Sequence, residues 1–258
     1  MSHHYIKYTD VRFSYPESGE VLKGVSFLVT HGEKVALLGM NGAGKSTLLL
    51  TMNGLLTADS GTIDIGGIPV TRKTLPLIRQ SVGMVFQNAD DQLFMPTVEE
   101  DVAFGPVNMK LPRDEVETRV TRALHQTGIE HLRHRNPAQL SGGQKRMAAM
   151  ATVLSMEPNI LVLDEPTANL DWKAKCELIS ILEKFRHTCI IATHDLLIAR
   201  RLCERAIILA DGKVAADTSI DRLMKDHSLL ELIGIDNITE FGEAIPGDCV
   251  KPFKTFEL

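Results

Sequence analysis

Apolar and polar residues along this chain follow two rhythms, and their succession lays out the fold before composition is considered. Tyr5–Tyr15 alternates with the two-residue period of a strand covered on one face, and Val25–Val29 repeats it after the turn chemistry of Pro16-Glu-Ser-Gly19. Lys34–Leu38 is a short apolar run of strand type. Gly61–Ile65 reads as a strand closed by Gly66-Gly67, and Val82–Phe86 as one ending at Gln87. The period then lengthens. Thr97-Val-Glu-Glu100 has the spacing of a capping box and opens a short helix that stops at Gly105-Pro106. Arg113–Thr127 is a charged amphipathic helix with a glycine stop at Gly128, and Ser141-Gly-Gly-Gln144 opens another through about Met156. Asn159–Leu163 is an all-apolar strand running into Asp164-Glu165. A helix from about Asp171 to Phe185 and the strand Cys189–Ala192 follow. From Ala206 to Asp217 two short strands flank Asp211-Gly212, a hairpin signal. The remainder is helical to about Ile233, before an irregular tail with Pro246 and Pro252. Strands alternating with helices predict an α/β domain with a mainly parallel sheet and helices on both faces.

Composition narrows the function classes. A chain of 258 residues can bury a sizeable core. A net charge of −5 and a pI near 6.0 argue against a protein that coats nucleic-acid phosphates. No run approaches the ~18 apolar residues of a membrane span, and the N-terminus has no secretory pattern, so the expectation is a soluble intracellular protein. Cys176, Cys189, Cys203 and Cys249 show no C-x-x-C spacing and read as reduced structural thiols. A free Ser2-His3-His4 terminus has the nitrogen set for a square-planar Ni²⁺ or Cu²⁺ chelate, although a mobile polar terminus is the better reading.

The stretch that carries the chemistry is Gly39-Met40-Asn41-Gly42-Ala43-Gly44-Lys45-Ser46-Thr47, which fits G-x-x-x-x-G-K-[ST] in full. It lies between an apolar strand and a helix opening. Glycines let successive N–H groups converge on a phosphate, and the helix end adds partial positive charge. Lys45 would bridge the β- and γ-phosphates of a nucleoside triphosphate, and the Ser46 hydroxyl would ligate Mg²⁺. Ile160-Leu-Val-Leu-Asp164-Glu165 delivers two carboxylates at the end of a parallel strand, where ligands of such sheets bind. Asp164 is placed to hold Mg²⁺, and Glu165 is the better general base for an attacking water.

These motifs, with Tyr15, Gln87, Leu140-Ser141-Gly142-Gly143-Gln144, Asn169-Leu-Asp171 and His194 in this order, resemble the ATP-binding cassette (ABC) ATPases. The resemblance implies a P-loop ATPase fold: the mainly parallel core, an N-terminal antiparallel β subdomain and a helical signature subdomain at about 88–158. The ATPase domain would span 5–235, with a C-terminal extension at 236–258. It also implies that Tyr15 stacks on the adenine of ATP, and that His194 meets the γ-phosphate and orients the water with Glu165. Gln87 would link Mg²⁺ and the water to a membrane partner. Ser141, Gly142, Gly143 and Gln144 would act on the ATP of a second ATPase chain, in a homodimer that Asp171 cross-links. Met40 and Asn169 depart from the usual residues, at positions where main-chain geometry matters most.

Gln87-Asn-Ala-Asp-Asp-Gln-Leu-Phe94 and Pro96–Pro106 are similar to the energy-coupling-factor importers, above all their cobalt/nickel ATPase subunits. That resemblance implies a peripheral protein on the cytoplasmic face of the membrane, bound to transmembrane scaffold and substrate-binding subunits and to no nucleic acid. Vitamin importers with nearly the same ATPase are the alternative. Leu93 and Phe94 would line a groove for helices of the scaffold, unless they are core. A chromosome-maintenance ATPase would insert long coiled coils after Gln87, and a translation-type protein would carry two cassettes; neither is present.

Overall fold

The structure is a computed structural model and describes residues 5–235. Ser2-His3-His4, Cys249 and the whole 236–258 extension lie outside the described residues. The first part of the chain forms β1 (Ile6–Tyr15), β2 (Gly19–Val29), β3 (Lys34–Leu38), α1 (Lys45–Met52), β4 (Ser60–Ile65), β5 (Ile68–Pro69), α2 (Leu75–Ser81) and β6 (Val82–Val85). Three helices then come in succession, α3 (Val98–Asn108), α4 (Arg113–Gln126) and α5 (Gly142–Leu154). The chain returns to the sheet with β7 (Ile160–Asp164), α6 (Trp172–Lys184), β8 (Thr188–Ala192), α7 (Leu196–Leu202), β9 (Arg205–Ala210) and β10 (Lys213–Ser219). It closes with α8 (Ile220–Leu223) and α9 (His227–Glu231).

Two sheets result. The smaller is antiparallel, in the order β2-β1-β4-β5, and the larger runs β10-β9-β3-β8-β7-β6. In the larger sheet β9, β3, β8, β7 and β6 are all parallel, and β10 is an antiparallel edge. Its central strands are apolar throughout because both faces are covered. Ala36, Leu38, Leu161, Leu163, Cys189, Ile191, Ala206 and Ile208 face a core shared with α3 to α9. Their alternate neighbours Val35, Leu37, Ile160, Val162, Ile190, Ala192, Ile207 and Leu209 face a second core, shared with α1, α2 and the antiparallel sheet. The period of two is thus intact, although no polar residue marks it. The pattern predicts helices on both faces; α3 to α9 cover one, but the other is covered mostly by the second sheet, with α1 and α2 beside it.

The two sheets are tied together at the β9–β10 turn. Lys23 N donates to Gly212 O at 2.8 Å, and a Cβ at Gly212 would fall 2.1 Å from Val21 O, so only glycine fits this approach. Among the described residues no helix is long and apolar enough to cross a membrane.

Two local expectations are corrected and one left open is resolved. Helix α3 does not stop at Gly105-Pro106 but runs on to Asn108 with Pro106 inside it. A proline orphans the carbonyl four residues back, and the Ser155 hydroxyl donates to that Val102 carbonyl at 2.8 Å. Leu93 is core, whereas Phe94 is 62% exposed and meets Phe104 edge-to-face at 4.9 Å. Cys189 and Cys203 are buried free thiols, pushed up by desolvation, but Cys176 is disulfide-bonded, against the expectation of four reduced thiols.

Candidate active site

The order β3-β8-β7-β6 sets four strand ends side by side. The loop after β3 carries residues 39–44, the end of β8 leads to His194, the end of β7 to Asp164-Glu165 and the end of β6 to Gln87. Residues far apart in the chain therefore share one edge of the parallel sheet. The loop owes its shape to glycine at two points. Gly39 packs so closely on β9 that a Cβ would sit 2.3 Å from Leu209 O, and Gly44 caps α1 in the left-handed region at φ +101°. Lys45 is buried and arches back over the loop, its Nζ donating to Gly39 O at 2.8 Å and Met40 O at 3.1 Å. Desolvation lowers its pKa; the nearby Glu165 and Asp164 charges oppose that. Asn41 and Gly42 are exposed and Ala43 buried along the same loop.

Asp164 is buried, and desolvation raises its pKa. The Ser46 hydroxyl beside the carboxylate pulls the other way, the Glu165 charge raises it further, and Lys45 and Arg146 again favour the ionised form. Glu165 sits at φ +44°, a left-handed backbone rare outside glycine, and its N–H donates to Ala192 O at 2.9 Å. This turn carries its carboxylate back over the sheet edge. There Glu165 Oε2 lies 2.9 Å from His194 Nδ1 without the alignment of a hydrogen bond, so the buried oxygen has no donor. His194 itself is 71% exposed. A buried acceptor of this kind is suited to receive an O–H from a water held between it and a phosphate.

Tyr15 is half-buried beside α1, its hydroxyl 3.3 Å from Thr47 Oγ1. Gln87 is exposed at the end of β6, and its main chain is gripped from α5: the Arg146 guanidinium donates to Phe86 O at 2.6 Å and to Gln87 O. The Arg146 contact was not anticipated; the signal available was a basic pair, Lys145-Arg146, opening an otherwise apolar helix. Ser141 and Gln144 form a full capping box, with Ser141 N donating to Gln144 Oε1 at 3.0 Å and Gln144 N to Ser141 Oγ at 3.4 Å. Ser141 and Gly142 are exposed, and Gly143 packs against Ala174 of α6. Asp171 caps α6, accepting from Ala174 N at 2.8 Å. The site residues of the sheet edge are thus brought together, while the α5 start and Asp171 form a second cluster where α5 meets α6.

The ABC transporter family model matches residues 22–168, more than half of the chain. The chain belongs to the ABC transporter family. This ABC chain is 56% identical, over 89% of its length and 92% of the relative's, to a Geobacter sulfurreducens protein provisionally named an ABC transporter ATP-binding protein. It is 45% identical to the energy-coupling factor transporter ATP-binding protein EcfA of Methanocaldococcus jannaschii, covering 84% of this chain and 80% of that one. Among solved structures it resembles cbiO1 of Clostridium perfringens, part of the ABC transporter complex cbiONQ, with 40% identity, a TM-score of 0.77 and coverage of 88% and 94%. It also resembles the dimeric ATP-binding cassette MJ0796 in a post-hydrolysis state bound to ADP and Pi, with 30% identity, a TM-score of 0.75 and coverage of 83% and 98%. The ABC ATPase fold and an ATP-hydrolysing activity follow from this membership.

Proposed function

We propose that this ABC ATPase is the energy-coupling-factor type subunit that powers import of a divalent metal ion, cobalt or nickel, from the cytoplasmic face of the membrane. The observation that carries the hydrolytic half is the buried, donor-less Glu165 oxygen beside His194 at the sheet edge shared with Lys45 and Asp164. Lys45 leaves the loop carbonyls to bridge the β- and γ-phosphates. Glu165 accepts the proton of the attacking water, and His194 orients that water against the γ-phosphate. Tyr15 stacks on adenine. The ATPase domain is assigned to 5–235, with its helical subdomain at 88–158.

The donors suit Mg²⁺. A serine hydroxyl beside a carboxylate is an all-oxygen pair, and Mg²⁺ is ordinarily held by one or two such groups together with substrate phosphates. Among the described residues no group of three or more His, Cys, Asp or Glu side chains could hold a metal by itself. Ser46, Asp164 and Gln87 are the residues that would bind it. Bound there, it would neutralise charge on the β- and γ-phosphates.

Ser141, Gly142, Gly143, Gln144 and Asp171 complete the site of a second copy, and the dimeric MJ0796 cassette supports this reading. Membrane partners are supported by the EcfA relatives and by cbiO1 as part of a transporter complex. The transported ion is assigned from the similarity of residues 87–106 to cobalt/nickel ATPase subunits. The test is uptake of labelled Co²⁺ or Ni²⁺ by cells producing this chain with the membrane subunits encoded beside it. Uptake that requires the chain and is lost with Glu165→Gln supports the assignment. Vitamin uptake in its place would overturn the metal and leave the ATPase reading intact.

A further inference from the structure

Arg146 lies near the start of α5, and only 5% of it is exposed. Burying a guanidinium is costly unless its charge and its donors are both satisfied. Here the planar fork donates to two successive carbonyls, Phe86 O and Gln87 O; desolvation lowers the pKa of the guanidinium, and the Asp164 charge opposes that. A lysine offers a point charge and could not span two carbonyls in one plane. The same segment is laced to α5 elsewhere. Lys145 Nζ meets Asp90 Oδ1 at 2.6 Å. The Gln92 amide accepts from Phe86 N at 3.2 Å and donates to Ala149 O at 2.8 Å and Thr152 Oγ1 at 2.7 Å. Arg146 differs from these contacts in touching the sheet-edge site itself. One helix therefore presents Ser141-Gly-Gly143 at its tip and, within its first turns, grips the Gln87 main chain.

We propose that Arg146 is a positioning residue for ATP hydrolysis, holding the Gln87 main chain in register with the N-terminus of α5. The proposal rests on the reading of Gln87 as a group of the hydrolytic site. A helix transmits displacement as a rigid rod, so a shift of the α5 tip against a second copy's nucleotide would reach Gln87 through this fork. Without it the sheet-edge residues would still bind ATP, but the water and the metal would be held out of place.

The experiment compares Arg146→Met, of similar length without charge, and Arg146→Lys with the wild-type chain. Steady-state kcat and KM for ATP, the Mg²⁺ half-saturation point, the Kd of a fluorescent ATP analogue and the melting temperature are measured for each. Arg146→Met should lower kcat about 10- to 100-fold, the penalty of a misplaced reactant. ATP affinity should stay within about twofold, the Mg²⁺ requirement should rise, and Arg146→Lys should recover part of the loss. In a Gln87→Ala background under single-turnover conditions, Arg146→Met should add no more than about twofold, because its route is already cut. A folded Arg146→Met chain with wild-type kcat would overturn the proposal, as would an equal loss in both backgrounds. If Arg146→Met does not fold, Arg146→Lys is read in the same way, and wild-type kcat there overturns it too. Glu165→Gln serves as the control. Turnover persisting in that variant sinks the site reading itself, whereas a dead Glu165→Gln beside an unaffected Arg146→Met sinks the positioning role alone.

Discussion

The carboxylate of Glu165 and the imidazole of His194 meet at 2.9 Å across the ends of two adjacent parallel strands. Glu165→Gln keeps the shape and removes the basicity. Turnover should fall below detection while ATP binding persists, and an ATP-bound dimer should accumulate on size exclusion. His194→Ala should cost about 10²-fold in kcat, the usual worth of one positioned acid–base group. Lys45→Ala should instead weaken ATP binding. Wild-type hydrolysis by Glu165→Gln would remove Glu165 from the mechanism.

The capping box at Ser141 separates two roles that one substitution would otherwise confuse. Ser141→Ala loses the cap and should cost about 1 kcal/mol of stability. Ser141→Asp keeps a good cap, since aspartate ranks with serine there, but sets a negative charge toward the second copy's phosphates. Its melting temperature should match wild type while ATPase activity collapses. Mixing it with Lys45→Ala chains should restore some activity, because one composite site is then intact. Normal turnover by Ser141→Asp would refute the shared site.

Leu93 and Phe94 should behave oppositely. Leu93→Ala opens a cavity in the helical core and should cost about 2–5 kcal/mol. Phe94→Ser touches an exposed pair with Phe104, so stability and basal ATPase should hold while membrane association drops. Undiminished association would move the docking surface elsewhere.

Asp101 gives a pH signature. It is 3% exposed; Oδ1 accepts from Phe94 N and Met95 N, both at 3.0 Å, and Oδ2 has no partner. Desolvation raises its folded pKa above the unfolded value, so its contribution is fully present below the unfolded pKa and is lost as pH rises through the folded one. Asp101→Asn removes the buried charge. The variant should therefore gain melting temperature over wild type at pH 7–8, and the gain should shrink as pH falls toward about 4, the ordinary aspartate range. A pH-independent difference would show that the carboxyl is not the cause.

The sheet edge was legible because each of its groups ends an apolar run: Leu38 before the glycine loop, Asp164 closing β7, His194 after β8. The two covers of the sheet were less so, since an all-apolar strand says that both faces are buried and not by what. Residues 68–81 were unread because Leu75–Ser81 is too short to show a helical period. Pro106 misled because the local rule for a proline was answered by a hydroxyl from another helix. Arg146 was missed for the same reason: a basic residue near a helix start looks solvent-exposed until tertiary contacts enclose it.

The strand that bears the phosphate loop has a further consequence for biosynthesis. Gly39 packs directly on Leu209, and β3 finds both of its neighbours, β8 and β9, late in the chain. Domains tend to fold as units while the chain emerges from its N-terminus. The ribosome therefore finishes the loop early, but its platform waits until Ala210 has left the tunnel. A nascent chain halted before Arg205 would carry the whole glycine-rich motif and the β8 strand beside β3, but not the strand on which Gly39 packs.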